Sequence, residues 1–152
     1  MIIKEINFET IVEIWREKLW PNRKEPIKPT NNIAYLGGRN SKINEQTPVF
    51  FAAYKDNTIV GVNSGFSTLD GGFRSRGIWV TPSCRNERIG NALLTSVIEY
   101  AKVCNNDYVW SMPRQSALPC YLSAGFIQTS KFFDQGVEFG PNCFVRLDLN
   151  ER

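Results

Sequence analysis

The hydrophobic period of this chain changes once, near residue 80, and that change limits the folds open to it. Residues 49–55, 58–68 and 73–80 read as strands, rich in aromatic and β-branched side chains. Asp56-Asn57 and Asp70-Gly71-Gly72 separate them and are turn sequences, so the three strands predict an antiparallel meander. After it, Ile89, Leu93, Val97, Ala101 and Cys104 recur every three or four residues, with Ala92 and Tyr100 alongside. That spacing lines one face of a helix, which Asn105-Asn106 can close. A meander that feeds straight into a long helix rules out all-α and all-β folds.

The flanks extend the pattern. Residues 2–6 read as a short strand and Asn7 as an N-cap. Phe8, Ile11, Val12, Trp15 and Leu19 then mark a helical face that stops near Trp20, ahead of Pro21, with Ile6 and Ile11 placed to staple its start. Residues 21–48 are rich in Pro, Asn, Gly and Lys, and predict a long loop or a loop with one short helix at 33–36. Loops of that length in a small domain tend to be functional. Residues 108–112 predict a strand closed by Pro113, and Ser116 a cap for a short helix through Ser123. Pro119 falls in the first turn of that helix and Gly125 at its end. Strands from 126 and over 143–149 flank a loop with Gly136, Gly140 and Pro141. The expected order is β-α-(α)-β-β-β-α-β-α-β-β, an α+β fold around a central mixed, largely antiparallel sheet of six to seven strands flanked by helices.

Composition removes several kinds of function. A chain of 152 residues predicts one domain, spanning 1–152, with enough buried surface for a core. No apolar run reaches membrane-helix length, and the start lacks a signal-peptide core, so the expectation is a cytoplasmic protein without a membrane partner. Net charge is only +3; seven basic residues against two acidic lie between Arg16 and Lys42, too mild a stripe to favour nucleic acid. Cys84, Cys104, Cys120 and Cys143 contain no Cys-x-x-Cys pair and read as free thiols. There is no histidine, which excludes histidine bases, Ser-His and Cys-His nucleophiles and histidine-bound metals. No metal is expected. Chemistry falls to carboxylates, tyrosine, thiols or backbone groups.

Residues 79–94 are the informative stretch: a strand enters a turn that opens onto the strongest helix. First-turn N–H groups lack intrahelical acceptors, and the helix dipole favours an anion there. Gly90 permits close backbone approach, and Arg85 and Arg88 add charge. No Walker or dinucleotide-fold glycine pattern is present. A plain strand-to-helix turn with two solvated arginines has the same sequence.

Val80-x-Pro82-x-x-Arg85-x-x-Arg88-x-Gly90-x-x-Leu93-Leu94 resembles the acyl-CoA pyrophosphate loop of the GNAT superfamily, the Gcn5-related N-acetyltransferases. That loop reads Gln/Arg-x-x-Gly-x-Gly/Ala; Arg85 and Gly90 match, while Arg88 stands where the first glycine is usual. If residue 88 is already helical, glycine there is dispensable. Ala117, Tyr121, Gly125 and Phe126 similarly match the family's Ala-x-x-x-Tyr-x-x-x-Gly-Phe segment, and Arg114 replaces an asparagine often found three residues earlier.

The resemblance implies a single GNAT-like domain and an acyltransferase. It would move an acetyl group from acetyl-CoA, as co-substrate, to an amine of a small molecule or peptide. It implies acetyl-CoA binding by Ile78, Trp79, Val80, Arg85, Asn86, Glu87, Arg88, Ile89, Gly90 and Asn91. The strand at 77–80 would hold the pantetheine arm, the Val80 N–H would polarise the thioester carbonyl, and Tyr121 would protonate the departing thiolate. Cys84 and Cys120 are bystanders in direct transfer. An amine of pKa about 10.4 costs ~4.6 kcal/mol to hold neutral at pH 7, so a base is required. Asp70, Glu87, Asp134 and Glu138 are candidates, with Glu87 facing solvent and the others unranked. The acceptor would meet residues 21–48 and 134–142, with Tyr35, Phe132 and Phe133 offering apolar surface; a homodimer is one option for assembly. The alternative is a catalytically inactive CoA-binding module, for which Arg88 and Arg114 speak and Tyr121 does not.

Overall fold

The computed structural model describes residues 1–31, 48–68 and 71–149. Strand β1 (Ile2–Ile6) leads into α1 (Phe8–Ile14), whose start is fixed by Asn7. The Asn7 side chain accepts from Thr10 N at 2.9 Å and Thr10 Oγ1 at 2.7 Å, satisfying one of the orphan donors of the first turn. Ile6 packs beside Ile11, as the staple predicts. The helix does not stop at Ile14 but widens into a π-helical turn, Trp15–Leu19, that ends at Trp20. Trp15 is fully buried by that turn, and its Nε1 donates to Gly77 O at 2.9 Å.

The meander follows as β2 (Val49–Lys55), β3 (Thr58–Ser67) and β4 (Gly72–Val80), then α2 (Ile89–Val103), β5 (Tyr108–Ser111), α3 (Leu118–Ser123), β6 (Ile127–Gln128) and β7 (Val145–Asp148). The seven strands form one mixed sheet in the order β1-β2-β3-β4-β5-β7-β6, antiparallel throughout except between β4 and β5. The expected α+β class and element order hold. Asn105, at φ 61, takes the left-handed conformation just past α2, the C-terminal stop its sequence suggested.

Several expectations change. Ser116 does not cap α3: Ala117 precedes it without a side-chain cap, and Ala117 N and Leu118 N both donate to Arg114 O at 3.0 and 3.1 Å. A backbone carbonyl has taken the role assigned to a hydroxyl. The strand expected from Phe126 shrinks to two residues, and the last begins at Val145 instead of Cys143, because Phe126 and Cys143 serve the core. The short helix expected at 33–36 lies outside the described residues, as does Tyr35.

Each face of the sheet has its own core. On one, Ile11 and Trp15 pack against Phe50, Ala52 and Val62. On the other, α2 packs Leu94, Val97 and Ala101 onto Val49, Phe73 and Val109, and Ile89 and Leu93 onto Ala53 and Val60, with Tyr121 of α3 beside them. The helices thus sandwich the sheet, and residues of β4 alternate between the two faces.

Candidate active site

The site begins with a failure of pairing. β4 and β5 are parallel neighbours over only Gly72↔Tyr108, Phe73↔Val109 and Arg74↔Trp110. Past that point Ser111 Oγ donates to Ser75 O at 2.6 Å, a side chain in place of the next ladder bond, and the strands then diverge. The divergence has a cause in β4. Val62 pairs with Trp79 but Ser64 with Arg76, so Gly77 and Ile78 share the position opposite Asn63. Such a bulge bends its strand. Gly77 sits there at φ 79, and a Cβ on it would run into the indole of Trp15, so only glycine fits. The gap between Ser75–Val80 and the chain after Ser111 becomes a cleft of about 770 Å³.

Eight of the ten residues expected to bind acetyl-CoA line this cleft: Ile78, Trp79, Val80, Arg85, Asn86, Arg88, Gly90 and Asn91. Two side chains go elsewhere. Glu87 forms an exposed ion pair with Lys55 at 2.8 Å, and Ile89 is buried with Ala53 and Leu93. The N–H groups of Ile89, Gly90 and Asn91 belong to the first turn of α2, and Ala92 N donates to Arg88 O at 3.2 Å. Arg85 Nε donates to Val80 O at 2.8 Å, tying the loop to the strand end.

One reading of this loop needs correction. Residue 88 is not helical: Arg88 stands at φ 63, ψ 23, the left-handed conformation that favours glycine. A side chain there costs about 1 kcal/mol, so the residue type departs from the family loop in the very conformation that asks for glycine. Gly90 lines the cleft and also meets a packing demand. A Cβ there would lie 2.5 Å from Cys120 Sγ, so this glycine lets α2 pack against α3. Cys120 lines the cleft, but burial pushes its thiol up, away from a reactive thiolate.

Tyr121 sits where the strands separate, 1% exposed, with its ring edge-on to Phe126. Its hydroxyl lies 2.8 Å from Ser75 Oγ and 3.0 Å from Ser111 Oγ, and Ser75 Oγ in turn meets the Asn63 side chain at 3.0 and 3.2 Å. Burial pushes the phenol up; the bonds to Ser111 and Ser75 oppose it only partly. The proton therefore stays on Oη at neutral pH.

The opposite, α1 face of the cleft was not anticipated. Arg76 is 2% exposed, between Trp15 and Trp20, whose ring centres lie 5.0 and 5.1 Å from its guanidinium carbon. Its Nη1 donates to Lys28 O at 2.8 Å. Burial first, then Arg74 and Arg23, push its pKa well below the ordinary arginine range. Arg114 is tied to the end of the π-helical turn through Leu19 O at 2.7 Å and faces the Phe139 ring. Residues 72–76 are all buried, so burial does not alternate there, and no local pattern in the sequence marked Arg76.

The base candidates separate. Glu138 lines the cleft and accepts from Lys24 N at 3.0 Å, bringing the 134–142 loop against the segment after α1. Asp134 is exposed outside the lining, Glu87 is paired with Lys55, and Asp70 lies outside the described residues. Phe133 packs on Phe144 in a side cluster and Phe132 is exposed, so neither builds the cleft. Among the described residues no group of three or more His, Cys, Asp or Glu could hold a metal, and no helix is long and apolar enough to cross a membrane.

The model of the acetyltransferase (GNAT) family matches residues 10–126. Comparison with curated proteins gives no match. Solved structures share the fold at low identity. A GNAT-family acetyltransferase from Staphylococcus aureus is 19% identical with a TM-score of 0.68, over 98% of this chain and 99% of that one. The phosphinothricin acetyltransferase of Sinorhizobium meliloti, in complex with acetyl-CoA, is 16% identical with a TM-score of 0.72, over 99% and 89%. The ribosomal-protein-alanine N-acetyltransferase of Brucella melitensis is 17% identical with a TM-score of 0.68, over 98% and 100%.

Proposed function

The chain belongs to the acetyltransferase (GNAT) family, and from that premise we propose that residues 1–152 form an N-acetyltransferase that moves an acetyl group from acetyl-CoA to an amine. The observation that carries this reading is the opened β4–β5 seam, with the N-terminus of α2 at one end and Tyr121 at its floor. The residues suit the donor. The edge of β4 beyond Arg74 has no strand partner on the β5 side and offers backbone groups to an amide-rich arm. Arg85, Arg88 and the first-turn N–H groups of α2 suit a pyrophosphate. Acetyl-CoA supplies an activated acetyl group, its carbon–sulfur bond breaking as the nitrogen–carbon bond of the product forms.

The protein's own groups do the rest. Backbone N–H groups near Val80 orient and polarise a carbonyl oxygen. Tyr121 Oη holds a proton at neutral pH and is the general acid for a departing thiolate. Glu138 is the one carboxylate lining the cleft among the described residues, and takes a proton from the acceptor ammonium, directly or through water, so that the neutral amine attacks. Burial pushes the Cys120 thiol up, which favours direct transfer over attack by this residue. The four cysteines stand free, which supports a reducing, cytoplasmic setting.

Calorimetry tests the donor half: acetyl-CoA binds 1:1 with micromolar affinity, near −8 kcal/mol. No heat and no thermal shift at millimolar acetyl-CoA overturns it. Arg85→Ala sharpens the placement by weakening CoA by about 1.5–3 kcal/mol while leaving acetyl-pantetheine, which lacks the pyrophosphate, unchanged. Release of CoA thiol across a panel of amines separates the enzyme from a silent CoA-binding module.

A further inference from the structure

We propose that the acceptor is a small amine that also carries an oxyanion, such as an amino acid or an aminoalkyl phosphonate, and that Arg76 receives this group on the α1 face of the cleft. The inference rests on the acetyltransferase reading for the identity of the second ligand, and on three observations for its charge. Arg76 is a buried cation whose Nη2 has no hydrogen-bond partner among the described residues, although Nη1 is held by Lys28 O at 2.8 Å. The ion pairs among the described residues involve Glu13, Glu87, Glu99 and Asp148, and none reaches this side chain. A guanidinium keeps its charge, and a buried charge without a counter-ion is costly unless something supplies one.

Among the described residues the nearest charges are of the same sign. Arg23 and Arg114 line the same cleft, each bonded to a backbone carbonyl rather than a carboxylate. Trp15 and Trp20 clamp the guanidinium and fix where Nη2 stands. The anion is not the CoA pyrophosphate. Arg76 projects to the α1 face, while Ser75 beside it reaches Tyr121 and α3 on the other, where the N-terminus of α2 lies. A ligand entering from the α1 side meets Arg76 with its acid and Glu138 with its ammonium. A polyamine or an uncharged amine meets a wall of like charge or an unanswered one.

The test has two parts. First, wild-type protein with acetyl-CoA is given L-amino acids, their amides, aminoalkyl phosphonates and spermidine, and thiol release is followed. Turnover of the amino acids or phosphonates with kcat/KM about 100-fold above the matching amides or spermidine is expected, and the better of the two anionic series identifies the oxyanion. Amides or spermidine used equally well or better overturns the proposal. Second, without acetyl-CoA, tryptophan fluorescence is titrated with the same compounds, since Trp15 and Trp20 flank the guanidinium. The anionic amines should shift the emission and the amides should not. Arg76→Met should abolish that shift and raise KM for the anionic acceptor about 10–100-fold, with the acetyl-CoA thermal shift kept as proof of folding, while Arg76→Lys should restore part of it. A fluorescence response unchanged in Arg76→Met, or no binding of any anionic amine to wild type, overturns the site. Failure of acetyl-CoA to bind would instead sink the acetyltransferase reading, and the fluorescence titration would still decide whether Arg76 takes an anion.

Discussion

The two faces of the cleft hold their positive charge in different ways. On the α2 face it is spread over backbone N–H groups of a helix start and two exposed arginines, Arg85 and Arg88, which solvent can screen. On the α1 face Arg76 is buried, clamped by indoles and fixed by a carbonyl. A solvated, backbone-based site tolerates change and suits a ligand common to many proteins. A buried charge on a rigid frame tolerates little and discriminates between ligands. On the proposed reading, the general half of the reaction falls to one face and the particular half to the other.

Tyr121 lies at the seam, and its loss should have the largest effect. Tyr121→Phe keeps the ring against Phe126 and removes only the hydroxyl. We expect kcat to fall about 10²–10⁴-fold with KM for acetyl-CoA little changed, and stability to fall by about 1 kcal/mol as the Ser75–Ser111 network loses a member. Because burial raises the phenol above its ordinary value near 10, wild-type kcat should show no loss from its ionisation between about pH 7 and 9. Full activity with a lowered melting temperature would make Tyr121 part of the core and leave the seam without its acid.

Gly77 sets how the two faces separate. Gly77→Ala places a Cβ against Trp15 in a left-handed conformation, and should cost about 3 kcal/mol, a drop near 9 °C in Tm. Denaturant melts showing less than about 1 kcal/mol would mean that the bulge does not depend on this glycine. Gly90 probes the α2 face alone. Gly90→Ala should cost about 2 kcal/mol through Cys120 Sγ, and Cys120→Ala in the same chain should recover most of it. Equal acetyl-CoA affinity in wild type and the double variant would place the glycine's role in helix packing; a persistent loss of binding would restore the close-approach reading.

The smallest effect is a gain. Arg88→Gly relieves a left-handed side chain and should stabilise the protein by about 1 kcal/mol, or ~3 °C. With backbone donors carrying the α2 face, acetyl-CoA affinity should fall no more than about threefold. A tenfold loss would show that Arg88 holds the ligand as Arg85 does, and the contrast with Arg76 would narrow.

Much of the fold was legible because its signals are local. The change of period near residue 80, the Asn7 cap, the turn at Asp56-Asn57 and the stop at Asn105 each depend on a few neighbouring side chains and the conformations they allow. The loop from Arg85 to Asn91 was legible for the same reason, since a helix start and its exposed N–H groups follow from the chain itself. The α1 face was not. Arg76 alternates with Arg74 in a strand that reads like one with a polar face, and its charge acquires meaning only when Trp15 and Trp20, about 60 positions away, close over it. Likewise Gly90 and Cys120 explain each other only across the α2–α3 contact, and Glu138 separates from Asp134 only when the loop folds back on Lys24. Periodicity and capping are written within one turn of chain; which buried charge goes unanswered, and on which side of a sheet, is decided by packing between segments far apart in sequence.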